Sequence, residues 1–133
     1  MSNQIGVQVK QIGPSSSEGT AREHTAIIDR PEAKGGENRG AMGGEYILIG
    51  LGGCFMSNLL AAIKSREADI AQVNVDVVGT LESSPSRFSA IEMNVSAEYS
   101  DRDQMEKLIT IAERGCIAAN TLRAAVALSV KLV

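Results

Sequence analysis

The sequence predicts an α+β protein, and three observations carry that prediction. Stretches near both ends and in the middle alternate apolar with polar residues, as half-buried strands do. One uncharged run, Tyr46 to Ile63, is long and apolar enough to be a core helix. No strand–helix–strand rhythm repeats, so a doubly wound parallel sheet is the poorer fit. The expected order is strand, strand, long helix, strand, strand, helix, strand.

Residues 4 to 12 alternate and read as the first strand, and Gly13-Pro14 with Ser15 to Gly19 reads as a turn. Ala21 to Asp29 is then a second strand pairing back on the first, ended by Arg30-Pro31 because proline cannot donate to a ladder. Five glycines among charged residues from Glu32 to Gly44 predict a long ordered loop leading into the helix.

The helix from Tyr46 to Ile63 has Glu45 before it and Lys64 after it, the charge order that suits a helix dipole. Its eighteen residues would span ~27 Å, and apolar residues on every face predict a helix wrapped by other elements. Gly50, Gly52 and Gly53 each cost about 1 kcal/mol there, which predicts close approach of another backbone. Eighteen residues is also the lower edge for a bilayer span. The glycines, Ser57, Asn58 and the missing aromatic belts favour a core helix and no membrane.

Beyond it, Val73 to Leu81 and Phe88 to Tyr99 alternate on either side of the turn Ser83-Ser84-Pro85-Ser86, predicting a hairpin with one solvated face. Ser100 with Asp103 resembles a capping box for a helix running to Arg114, with Met105, Leu108, Ile109 and Ala112 on one face. Gly115 suits a left-handed residue after that helix. Cys116 opens one more helical turn, and Ala124 to Val133 is an apolar closing strand.

A chain of 133 residues is read as one domain, residues 1–133, able to bury a core without staples. A net charge of −3 with mixed signs, and only two tyrosines and two phenylalanines, gives no reason to expect nucleic acid. Low aromatic content favours completion of the core by a second copy. Two cysteines without a secretory signal point to the cytoplasm as the expected compartment, and a single histidine, His24, offers no zinc spacing and no cofactor motif.

Cys54 and Cys116 lie 62 positions apart, so neither belongs to a Cys-x-x-Cys motif. Free cysteines usually behave as small buried hydrophobes. Against that, Cys54 shares a helix face with Gly50, Ser57 and Asn58, and Cys116 falls where a following turn would offer amides to a thiolate. From the residues alone, both readings stand.

The pattern Pro31…Gly35-Gly36…Gly44-Glu45-Tyr46…Gly52-Gly53-Cys54, then Arg87-Phe88…Ile91, then Cys116…Asn120-Thr121-Leu122, resembles the OsmC/Ohr family of osmotically inducible and organic hydroperoxide resistance proteins. The likeness runs from about Ala21 to Val133, and around Glu45 it is nearer the OsmC-like branch. Ile117 stands where the best-characterised members carry proline. The resemblance implies an OsmC-like fold, antiparallel sheets around a long central helix, made by an intertwined homodimer. It implies a thiol peroxidase acting on organic hydroperoxides, with Cys54 peroxidatic and Cys116 resolving.

It further implies recycling by a dithiol, a lipoyl-type reductant being one candidate, and activation of Cys54 by a glutamate and an arginine matching Glu45 and Arg22. Nine helical steps separate Glu45 from Cys54 and turn to the opposite face, so Glu45 reads equally as a partner of the helix dipole. Arg30 and Arg39 also precede the helix, and only hairpin position singles out Arg22. The competing function is a non-catalytic dimeric module whose cleft binds a small apolar ligand, with both cysteines structural.

Overall fold

A computed structural model describes residues 2–133; Met1 lies outside them. The chain forms two compact units, one up to Ile47 and one from Leu48 onward, and the long helix begins in the first and continues in the second.

In the N-terminal unit, β1 (Gln8–Gln11), β2 (Ser17–Ala21) and β3 (His24–Ile28) make an antiparallel sheet in that order. The expectation of two strands here is corrected to three. Ser17 to Gly19, expected in a turn, pairs with both neighbours, and the stretch from Ala21 to Asp29 is broken at Arg22 and Glu23. Arg22 takes φ of 55°, the left-handed conformation a two-residue hairpin turn requires. The loop from Arg30 to Met42 is organised by Asp29, which is 2% exposed. Its carboxylate accepts the amides of Arg30, Glu37 and Arg39 at 2.7, 3.2 and 3.2 Å. Burial pushes that carboxyl up, but Ser15 and the three amides outweigh it and hold it below its ordinary value.

The helix α1 spans Gly43–Ser65, three residues longer than expected at its start and two at its end. In the C-terminal unit it is followed by β4 (Ile70–Glu82), β5 (Arg87–Tyr99), α2 (Arg102–Arg114), α3 (Ile117–Leu122) and β6 (Ala127–Leu132). The sheet order is β4-β5-β6. β4 and β5 form the expected hairpin, whereas β6 runs parallel to β5, so this sheet is mixed. Parallel pairing needs a crossover, and α2 with α3 supplies it.

One hydrophobic cluster holds this unit together. Leu51, Phe55, Leu59 and Ala62 form a stripe along α1 and join Ile91, Met93 and Val95 of β5 and Met105, Leu108, Ile109 and Ala112 of α2. Gly52 lets β4 come close, since a Cβ there would stand 2.8 Å from Val77 Cγ2. Gly50 and Gly53 have nothing within 4 Å, and Ile49 and Leu60 are 57% and 49% exposed. Within the C-terminal unit, therefore, α1 packs along one stripe. Among the described residues it is the one helix long and apolar enough to cross a membrane.

Two local expectations are corrected. Asp101, not Ser100, caps α2, its carboxylate accepting the Gln104 amide at 3.1 Å. Gly115 has φ −90° and ψ 0°, so it is not left-handed.

Candidate active site

Both cysteines belong to the C-terminal unit, and its packing brings them together. Cys54 is half-buried beside the Leu51 and Phe55 stripe of α1. Cys116 is fully buried and serves as the N-cap of α3, with extended backbone (φ −82°, ψ 113°). Its sulfur accepts the Ala119 amide at 3.4 Å, taking the place of the usual side-chain oxygen. The two cysteines lie 3.3 Å apart and are not bonded. A disulfide requires about 2.05 Å between sulfurs, so the pair stands open in this structure at close approach.

Their environments differ in sign. Burial pushes the Cys54 thiol up, but hydrogen bonds from the Ala118 amide, the Cys116 thiol and the Ile117 amide outweigh it and hold Cys54 below the ordinary thiol range. Burial is the largest influence on Cys116 as well. The Ala119 amide opposes it, while the hydrogen bond to Cys54 and the charge there add to it, and Cys116 is held above the ordinary range. Of the two thiols, Cys54 is therefore the one favoured to ionise, with the Cys116 thiol as one of its donors.

Glu45 and Arg22 lie in the N-terminal unit, each with a local partner. Glu45 is the third residue of α1, and its Oε1 accepts the Met42 amide at 2.8 Å, the returning half of a capping box. Arg22, 75% exposed in the β2–β3 turn, has its Nη1 3.9 Å from Glu23 Oε1. Arg39 Nη1 donates to Ser16 Oγ at 2.9 Å. His24, also exposed, faces Glu23 at 3.4 Å. Among the described residues no three His, Cys, Asp or Glu side chains come together as a metal site.

Sequence reasoning expected amides of the turn after Cys116 to face a thiolate, but named neither Ile117 and Ala118 nor Cys54 as their acceptor, nor the part played by Asn58. Backbone donors leave no signature in residue types; the available signal was Cys116 standing directly before a helical turn. Asn58 was visible as a polar neighbour of Cys54. Its Nδ2 donates to the Ala112 carbonyl at 3.3 Å, a contact that depends on where α2 ends.

A mixed α+β protein whose long helix carries one thiol against a second, capping thiol is the class that fold and site define. Residues 36–131 match the family model described as OsmC-like protein, and the chain belongs to that family. No curated protein matches the sequence. Among solved structures, an OsmC-like protein from Mycoplasma pneumoniae is similar at a TM-score of 0.86 and 16% identity, covering 100% of this chain and 98% of that one. An organic hydroperoxide resistance protein from Elizabethkingia anophelis gives 0.72 and 20%, covering 100% and 99%. The organic hydroperoxide resistance protein OhrB of Bacillus subtilis gives 0.67 and 19%, covering 98% of each chain. At these identities the likeness is one of fold.

Proposed function

We propose that this protein is a cysteine peroxidase that reduces organic hydroperoxides by a two-thiol cycle. The observation that carries the reading is the approach of Cys54 and Cys116 to 3.3 Å with the two thiols pushed in opposite directions. Family membership and hydroperoxide resistance proteins among similar structures support it. The Cys54 thiolate attacks the terminal peroxide oxygen, the O–O bond breaks, and the alkoxide leaves and takes a proton from water. Cys54 is left as sulfenic acid, which no longer carries charge. The electrostatic push on Cys116 then ends. Its sulfur attacks Cys54, the S–O bond breaks, and hydroxide leaves with the Cys116 proton as water. A dithiol reduces the disulfide by two exchange steps and departs oxidised.

In this reading the Ile117 and Ala118 amides hold the thiolate; family resemblance gives Glu45 and Arg22 activating roles, which for Glu45 compete with its place nine helical steps before Cys54 in the same continuous helix. Glu45 already fixes the start of α1, whereas Arg22 is held only by a long, exposed pairing. The working form is a cytoplasmic homodimer of single-domain chains, residues 1–133. The exposed face of α1, with Ile49, Leu60 and the bare Gly50 and Gly53, supports a second copy packing there. The test is peroxide consumption in one turnover by the parent and by Cys54→Ser, with product alcohol quantified. Consumption by the parent and none by Cys54→Ser supports the enzyme. Inertness of both supports a ligand-binding module with structural cysteines.

A further inference from the structure

The corner between α2 and α3, which carries Cys116, is tied to α1 through Asn58. Asn58 stands one turn beyond Cys54 on the same side of the helix. The last four carbonyls of α2 have no amide partner within the helix and need one elsewhere. The Gly115 amide returns to the Ile111 carbonyl and the Cys116 amide to that of Glu113. Between them the Ala112 carbonyl takes the Asn58 amide at 3.3 Å. The bond is long, so its main effect is registration of two elements and not strength.

Gly115 fits the same contact. Its backbone angles are open to any residue, so conformation does not demand glycine there. A Cβ would lie 3.4 Å from Asn58 Nδ2, at contact distance. The bare position lets the asparagine lie flush against the turn that leads into Cys116.

We propose that Asn58 is a positioning residue for the cysteine pair. By holding the α2–α3 corner against the turn of α1 that bears Cys54, it sets how closely Cys116 and the amides of Ile117 and Ala118 approach the Cys54 sulfur. The inference rests on reading the pair as redox-active, but its test uses no peroxide.

The parent, Asn58→Leu, Asn58→Ala and Asn58→Gln are equilibrated against mixtures of oxidised and reduced dithiothreitol. The oxidised reagent takes two electrons and two protons from the two thiols as their disulfide forms. Disulfide content is read by mass, and the pH profile of Cys54 alkylation is recorded alongside. Loss of the amide should lower the equilibrium constant for disulfide formation about tenfold in the Leu and Ala variants. It should also move Cys54 alkylation toward higher pH. Gln, which keeps the donor, should recover part of both. Should Leu misfold, Ala carries the test, and Gly115→Ala should shift both readouts in the same direction by a smaller factor. Folded variants that match the parent in both readouts overturn the proposal, as does a parent that forms no disulfide. A parent that closes the disulfide yet ignores hydroperoxide removes the peroxidase reading and leaves this one standing.

Discussion

Cys54 and Cys116 are the same residue type in one hydrophobic cluster, and their hydrogen-bond partners separate them. Both sulfurs accept backbone amides, but Cys54 also receives the Cys116 thiol, while Cys116 gives that bond and is fully buried. A lowered thiol ionises at lower pH. Alkylation of Cys54 should therefore persist below the pH range of an ordinary thiol, while Cys116 should react only above it. Replacing Cys116 by alanine removes the thiol donor but leaves the two amides, so the Cys54 profile should shift partway toward the ordinary range. Mass spectrometry of each site across pH reads both. The candidates were legible in the sequence as cysteines on helical turns with polar neighbours. Their spatial pairing was not derivable from the residues, because it depends on where α2 ends and how the chain crosses back to β6.

At the scale of elements, apolar spacing gave α1, α2 and the β4–β5 hairpin nearly to their ends. The N-terminal sheet was read less well. Ser15 to Gly19 has turn composition, yet Ser17 to Gly19 pairs on both sides, so cross-strand bonding overrode propensity. Parallel pairing of β6 was equally hidden, since an apolar strand reads the same in either direction.

Two predictions belong at this scale. Gly52→Ala puts a methyl against Val77 and should cost ~1–3 kcal/mol in denaturant unfolding by overpacking. Asp29→Ala should free the loop it anchors, seen as faster proteolysis between Arg30 and Met42. Because the Asp29 carboxyl is held below its ordinary value, its contribution is present above the ordinary carboxylate range. It is lost as pH falls through the lowered value, so the parent loop should loosen in acid and the variant should respond less.

At the scale of the whole molecule, α1 is apolar on every face, yet one stripe of it joins the hydrophobic cluster of the C-terminal unit. In an isolated chain, Gly50→Ala and Gly53→Ala would favour the helix by about 1 kcal/mol each. If a second copy packs closely at these positions, the added methyls should instead weaken association. Sedimentation equilibrium of the double variant against the parent distinguishes the two, and a folded parent monomer at micromolar concentration would remove the dimer.

The most direct test of the central claim is a single turnover with an organic hydroperoxide, using the parent, Cys54→Ser and Cys116→Ser with a dimedone-type probe. The parent should form one disulfide within each chain. Cys54→Ser should consume nothing. Cys116→Ser should consume about one equivalent and stop, with sulfenic acid trapped on Cys54. Failure of Cys116→Ser to react at all, while Cys54→Ser consumes peroxide, would reverse the roles. Equal inertness of all three would contradict the peroxidase itself.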